Sequence, residues 1–568
     1  MGLYAICRRK RITILALIIS IGIIFTTSNL LNLVKVYRPE GSVQITEEGI
    51  EAMTTDGLFS RMNDSTINYA WMKGRITRLF PAWKKAMVEL LGVKEDLKTR
   101  KKLNVLFYLG FLSDETGQKF AEKAFHGGPL GELVQWSDLI TSTYLLGHNV
   151  TIFSQYTAFK QSLRNHTFYA APNSSTIADV IFTDIIGLKK MQTRKIFYKA
   201  HKCRIRLLDS FGTHAEFNSA AYYRKHMKEF GPYGNPWGGL ELDLGQFLTL
   251  YPHTDDNTFL GFVVETFEPD ESEKIVREAR TLVYGKEEYM WKDANATLET
   301  VRKFTEIDAT VADAANFMKE KGVHNLGLLS GRDLHTQLRK SKVFLGLGFP
   351  VEGPAPLEAI SNGAIFINHR FNESKSRMTW WFFVDKPTLR KLTSQNPYME
   401  RFVGEPWVIT VDVFNQTELK SAYEKAMATE VKPYLPREFS FIGMLERVDI
   451  ILTKHDYCSL GPSSYPPWDS AKIIVAPEGQ NCQDACAAKE LRCERTFFRR
   501  INNEAYVQGL TENCTHPVES QPVPYAPTST CILQSDLQLF SCATEPPSNV
   551  RRICPCRTFK TGYANRFL

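Results

Sequence analysis

Leu103-Asn104-Val105-Leu106-Phe107-Tyr108-Leu109 is a short apolar run closed by Gly110. It lacks the alternation of a half-exposed strand, so it reads as a parallel strand buried on both faces. A helix-like stretch follows at 130–146. After Gly147-His148, the segment from Asn149 to Phe153 reads as strand again. The runs from Val180 to Ile186 and from Ile205 to Leu208 continue the series. Strand–helix–strand alternation builds a parallel βαβ sheet.

A second α/β block is expected to start near Phe259, with residues 259–264 as its first strand. Strands at 281–284, 307–311 and 343–347 follow, the last two separated by a helix at 334–341. A helix from Pro356 to Asn362 ends at Gly363, a residue that closes helices at little steric cost, and 364–367 is a further strand. The expected architecture is α/β, with two Rossmann-like domains at 102–255 and 256–457 facing a cleft. Residues 35–101, polar and mixed with helices around 65–98, form a stem or helical region. Residues 458–568 are a cysteine-rich region.

The 568 residues suggest about three to five folded units. At 43% hydrophobic and 23% charged, the chain has ordinary globular composition, which excludes disorder, collagen and coiled coil as its main theme. A net charge of +7 is too small for the basic face of a nucleic-acid binder.

The N-terminus predicts a membrane anchor. Arg8, Arg9, Lys10 and Arg11 precede an uncharged run over 12–34. As a helix this run covers about 34 Å, enough to cross a hydrocarbon core of about 30 Å. Only Lys35 follows directly, so residues 1–11 stay cytosolic and the body is lumenal. A cleaved signal peptide would have a shorter apolar region and a small-residue cleavage site. Sequons at Asn63, Asn149, Asn165, Asn173, Asn295, Asn372, Asn415 and Asn513 fit a secretory chain. So do the cysteines. Cys7 precedes the anchor. Cys203, Cys458, Cys482, Cys486, Cys493, Cys514, Cys531, Cys542, Cys554 and Cys556 are an even lumenal set of disulfide candidates with undetermined connectivity. Their spacings are not the paired C-x2-C of zinc knuckles.

Two loops carry candidate chemistry, because ligands of open α/β sheets sit beyond the carboxyl ends of the strands. One is Gly127-Gly128-Pro129-Leu130-Gly131-Glu132. The other runs from Gly348 through Glu352 and Gly353 to Glu358. Glycines let a backbone approach a ligand, and the helix N-terminus behind each favours phosphate. Two such loops across a cleft are the plan of a GT-B nucleotide-sugar transferase. No two aspartates stand two positions apart, so the D-x-D that holds a metal in GT-A enzymes is absent. This pattern points to a metal-independent mechanism in which cations and helix dipoles neutralise a diphosphate.

Several blocks resemble the alpha-1,6-mannosylglycoprotein 6-beta-N-acetylglucosaminyltransferases (the N-acetylglucosaminyltransferase V family). They are Phe125 to Ile140, Leu208 to Thr213, Phe259 to Glu265, Leu329 to Leu334, Gly346 to Ile360 and Lys386-Pro387-Thr388-Leu389-Arg390. The similarity covers about 102 to 458 and continues into the cysteine tail. It is weaker before 102, and the extreme C-terminus departs from the family pattern. The resemblance implies transfer of N-acetylglucosamine from UDP-GlcNAc to O6 of the α1,6-linked mannose of N-glycans, with inversion, on the Golgi membrane of a type II protein. It implies UDP-GlcNAc and glycoprotein N-glycans as partners, with no cofactor.

Site residues carry over singly. Glu132 matches the catalytic base. Glu352 and Lys386 match donor-binding residues. Glu358 sits where GT-B enzymes hold the ribose, although it lies six residues from Glu352, unlike the common E-x7-E spacing. Asp209, Ser210, Phe211 and Trp237 match the acceptor side. Chemistry agrees: Lys386 can offset diphosphate charge, and Trp237 can stack on a sugar. His126 is a rival base, and His148, His214 and His253 are read as surface or packing residues. Two other readings stay open, a GT-B enzyme using another sugar donor and a secreted ligand without activity.

Overall fold

The computed structural model describes residues 42–559, leaving aside 64–66, 118, 127–129, 166–177, 231–237, 266–275, 313–314, 460, 462, 464, 511–517 and 520–531. The expected anchor at 12–34, Trp237 and the Gly127–Pro129 turn therefore lie outside the described residues, as do Asn173, Asn513, Cys514 and Cys531. Among those described, no helix is long and apolar enough to cross a membrane.

The first sheet has six parallel strands: β1 (Asn104–Tyr108), β2 (Asn149–Phe153), β3 (Val180–Thr183), β4 (Ile205–Leu208), β5 (Phe247–Thr249) and β6 (Thr258–Phe259). Their spatial order is β2-β1-β3-β4-β5-β6. Every residue of β3 and β4 is buried, as a parallel sheet covered on both faces requires. The second sheet contains β7 (Glu278–Tyr284), β8 (Glu306–Ala309), β9 (His324–Asn325), β10 (Ser341–Gly346), β11 (Ile365–Lys375), β12 (Leu392–Ser394) and β13 (Val408–Val411). Parallel strands run β9-β8-β7-β10-β11-β13, while β12 joins the far half of β11 antiparallel. This is the doubly wound 3-2-1-4-5-6 order, which puts its topological switch point between β7 and β10.

Two expected strands are corrected. The run from Val180 to Ile186 stops at Thr183, because Asp184 caps a helix at Ile185–Gln192 by accepting from the amides of Ile186 and Gly187, each at 2.9 Å. Residues 260–264 do not open the second sheet. Thr258–Phe259 completes the first, and the donors after it leave the ladder. The amides of Leu260 and Gly261 bond to the Thr249 carbonyl at 3.1 Å, that of Val263 to the Asp138 carboxylate at 2.7 Å, and that of Val264 to the Phe439 carbonyl at 2.9 Å.

The helices explain how the two sheets are held together. Helix α1 (Ala70–Val93) packs on α2 (Leu130–Leu145), and Met72, Ile76 and Trp83 share one core with Leu133, Trp136 and Leu139. Residues before 102 are thus built into the body of the first domain. Helix α2 is almost wholly buried despite its polar composition. Its Ser137, Thr141, Ser142 and Thr143 hydroxyls each donate to the carbonyl four residues earlier at 2.7 Å. Its Asp138 takes a two-point bond from Arg75 of α1, at 3.2 and 3.0 Å. In the second domain, α3 (Gly331–Lys340) and α4 (Ala355–Ser361) flank β10. Helix α5 (Phe441–Thr453) crosses back to the first domain, where Met444, Leu445 and Val448 enter the α1–α2 core.

The tail carries a small antiparallel sheet, β14 (Ala471–Val475), β15 (Arg492–Cys493) and β16 (Ile553–Arg557), in the order β14-β16-β15. Disulfides Cys482–Cys554, Cys486–Cys556 and Cys493–Cys542 close it, and Cys203–Cys458 ties its start to the first domain. Buried Asp256 anchors the tail by accepting from Ser541 Oγ at 2.6 Å and from the amides of Cys542 at 2.5 Å and Ala543 at 3.1 Å. The sequon asparagines Asn63, Asn149, Asn295, Asn372 and Asn415 are exposed; of Asn165 only the backbone is described.

Candidate active site

The loops at the carboxyl ends of the two sheets meet. Tyr251, after β5, donates its hydroxyl to the Gly353 carbonyl after β10 at 2.8 Å. The amide of His214, after β4, donates to the Pro387 carbonyl at 2.9 Å. Arg390 donates to the Phe211 carbonyl at 3.2 Å. A side chain at Gly353 would put its Cβ 2.1 Å from the Tyr284 hydroxyl, so a larger residue there would have to displace that ring.

Glu132 stands half-buried in the first turn of α2, after the loop that leaves β1. Burial raises its pKa, and the nearby Lys386 ammonium pulls partly the other way. Lys386 sits 4.0 Å from the centre of the Phe382 ring and 4.7 Å from that of Phe211. Its ammonium donates to the Phe382 carbonyl and approaches Asp385 Oδ1 at 3.4 Å. Burial lowers its pKa, while Asp385, Glu132 and Asp209 act to raise it. A carboxyl that resists ionisation beside a cation from the other domain suits proton transfer next to a charged leaving group.

The turn after β4 carries Asp209, Ser210 and Phe211. Asp209 accepts from Thr213 Oγ1 at 2.6 Å and from the Phe211 amide at 3.3 Å, and burial raises its pKa. Ser210 Oγ lies 3.4 Å from Gln135 Oε1 of α2. Phe211 meets Phe382 edge-on at 5.6 Å. The three expected acceptor residues that are described therefore share one turn, and Phe211 touches Lys386.

Glu352 is the hub of the opposite loop. Its φ of +51° is left-handed, at a cost of about 1–3 kcal/mol for a non-glycine residue. Arg390 holds both carboxylate oxygens, Nη1 donating to Oε2 at 3.2 Å and Nη2 to Oε1. His253 Nδ1 approaches Oε1 at 3.2 Å. Burial alone would raise the pKa of this carboxyl, but Arg390 and His253 hold it down at about 2.

Glu358 lies apart from this hub, half-buried in the first turn of α4. Burial is the main cause that raises its pKa to about 7; Glu265 adds to the shift, and Arg75 and Arg78 oppose it. Arg78 grips Glu265 at two points, 2.6 and 2.8 Å. Helix α1 thus sets the charge around an expected donor-binding residue.

Two residues of the site escaped the sequence reading. His253, read as surface or packing, has its side chain covered between the domains, with Nε2 2.8 Å from the Ser210 carbonyl. Arg390 ends the Lys386–Arg390 motif, and its sequence context assigns it no role of its own. A position just past a strand's carboxyl end marked His253, while its partners lie far off in sequence. His148 and His214 are packing residues: His148 accepts from the Leu103 amide at 3.2 Å, and His214 pairs with Thr388 Oγ1 at 3.2 Å. Among the described residues no group of three or more His, Cys, Asp or Glu side chains is placed to hold a metal ion.

Residues 37–556 match the model of glycosyltransferase family 18. The chain is 42% identical over 513 residues to the alpha-1,6-mannosylglycoprotein 6-beta-N-acetylglucosaminyltransferase of Caenorhabditis elegans, covering 86% of this chain and 75% of that one. It is 41% identical to the A form of Homo sapiens, covering 87% of this chain and 67% of the relative. Against the human B form, identity is 35%, covering 89% and 69%.

Proposed function

The chain belongs to glycosyltransferase family 18, and from that premise we propose that it is an inverting transferase. It moves N-acetylglucosamine from UDP-GlcNAc to O6 of the α1,6-linked mannose of N-glycans, forming the β1,6 branch. The observation that carries the reading is Glu132, a half-buried carboxyl with a raised pKa, within electrostatic reach of Lys386 across the cleft. The mannose O6 attacks C1 of the donor sugar from the face opposite UDP. The C1–O6 bond forms as the bond from C1 to UDP breaks, and the O6 proton passes to Glu132. Lys386 offsets the charge growing on the diphosphate. Asp209, Ser210, Phe211 and Trp237 take the acceptor, and Glu352 and Glu358 the donor side.

Two Rossmann-like sheets with facing carboxyl ends support the GT-B arrangement. The reading requires no metal, because the cation is supplied by Lys386 and the sequence lacks D-x-D. Golgi residence as a type II protein is part of the proposal, supported by the uncharged run at 12–34, the exposed sequons and the disulfides. The test is incubation of the lumenal protein with UDP-GlcNAc and a biantennary N-glycan, followed by linkage analysis. A new β1,6 linkage on the α1,6-arm mannose is expected. Transfer from another nucleotide sugar only, or to another position, overturns the reading.

A further inference from the structure

Aromatic rings continue outward from the site. Phe382, under the Lys386 ammonium, packs against Phe349 at 5.2 Å between centroids and against Trp381 at 5.7 Å. Phe349 reaches Trp381 and Tyr289, both at 6.0 Å. Tyr289 follows β7 and Phe349 follows β10, so the rings gather at the switch point of the second sheet. The inner rings are covered, but Trp381 is 63% exposed and Tyr289 is 52% exposed. Water-facing aromatic surface is unfavourable, and an open apolar patch continuous with a cleft marks a contact surface. Exposed Asp385 precedes Lys386, and exposed Glu287 lies two residues before Tyr289.

We propose that Trp381, backed by Phe349 and Tyr289, is an accessory carbohydrate subsite. It takes a pyranose of the acceptor glycan other than the mannose that receives the transfer. The inference rests on the proposed transferase reading and deepens it. One face of a pyranose presents only C–H groups, which suit the positive-seeking face of an indole ring, while its hydroxyls point to the edge. A peptide partner of the same area would need its backbone donors and acceptors satisfied, and the rings offer only the Trp381 indole N–H and the Tyr289 hydroxyl. The link to the acceptor turn is direct: Phe382 touches both Trp381 and Phe211.

The experiment compares the unaltered protein with W381A and W381F. Kinetics are measured with a complete biantennary glycan and with a short trisaccharide that carries the accepting mannose. For W381A, KM for the complete glycan should rise about tenfold, the loss expected for one weak contact. KM for the trisaccharide, KM for UDP-GlcNAc and kcat should stay unchanged, and W381F should restore most of the loss. Equal rises for both acceptors, a rise in donor KM, or no change overturns the subsite. The complete glycan is also titrated without donor, reading tryptophan fluorescence. Quenching present in the unaltered protein and lost in W381F supports the subsite even where no transfer occurs, a result that sinks the transferase reading alone. Absence of that quenching overturns the subsite.

Discussion

His253 and Glu352 join the two domains through a single hydrogen-bonded contact. Nδ1 of the imidazole lies 3.2 Å from Oε1 of the carboxylate, and Nε2 lies 2.8 Å from the Ser210 carbonyl. Both ring nitrogens therefore face acceptors, and a neutral imidazole can donate to only one of them. Burial and the Arg390 guanidinium lower the His253 pKa, while Glu352 and the Ser210 carbonyl favour the second proton. The turn after β4 and the loop after β10 are thus coupled through one ring and one guanidinium.

Arg390→Met should show what that coupling contributes. It leaves Glu352 buried with His253 as its remaining charge partner, and breaking a buried pair this way costs about 3–5 kcal/mol. The pH dependence has a defined sign. The folded-state pKa of Glu352 is depressed to about 2, so its stabilisation is present above the ordinary carboxylate pKa near 4.3 and is lost as pH falls through about 2. Denaturant midpoints measured from pH 7 to 2 should show the variant less stable at neutrality, with the difference shrinking in acid. A constant difference across that range would remove Glu352 from the account.

Glu132→Gln keeps shape and removes basicity. We expect kcat to fall by about 10²–10⁴-fold, the usual worth of a general base, with UDP-GlcNAc still bound. Burial raises the Glu132 pKa, so the acid limb of kcat/KM in the unaltered protein should lie above the ordinary carboxylate range. Activity rises with pH as the carboxyl ionises, and the variant should lack that limb. Near-normal kcat would hand the proton to another group, such as His126.

Much of the fold was legible because buried parallel strands are locally encoded. The segments 104–108, 149–153 and 205–208 need only their own apolar residues to be recognised. Residues 260–264 have the same composition and are not a strand. Their amides are taken by the Thr249 carbonyl, the Asp138 carboxylate and the Phe439 carbonyl, none of which is visible locally. The site divides in the same way. Glu132, Lys386 and the Asp209–Phe211 turn fall in motifs at strand ends. His253 and Arg390 act through partners from other elements, so a place past a strand end or inside a motif does not by itself reveal their role. Arg75 and Arg78 were hidden for a further reason: the helix they share looks like stem until its apolar face is seen buried against α2.

The tail should act as a clamp on the first domain. Asp256 accepts three bonds from residues 541–543, and Asp255 accepts from the Cys493 amide at 3.2 Å, both within three residues of His253. Asp256→Ala removes the acceptor and leaves buried donors unpaired, at a cost of about 1–3 kcal/mol. It should lower thermal stability and expose 482–493 to proteolysis before the two sheets melt. Unchanged stability and unchanged tail protection would show that the region is held without Asp256.

Lys386 supplies the last prediction. Its ammonium rests between the Phe382 and Phe211 rings, within electrostatic reach of both Glu132 and Asp209. Burial lowers its pKa, so the charge is poorly solvated and strongly felt by any anion that enters the cleft. A diphosphate is such an anion, and its negative charge grows as the bond from C1 to UDP breaks. Lys386→Met keeps most of the side-chain volume over the rings and removes the charge. Donor kcat/KM should drop by about 10²-fold, the scale of losing one preorganised charge-stabilising group. Donor KM should rise more than acceptor KM. Because the cation is built into the chain, EDTA should leave turnover of the unaltered protein largely intact. Loss of activity in EDTA, restored by Mn²⁺, would assign the diphosphate to a metal and leave Lys386 a packing role over Phe211. An effect of Lys386→Met confined to acceptor KM would place the lysine on the mannose side of the cleft.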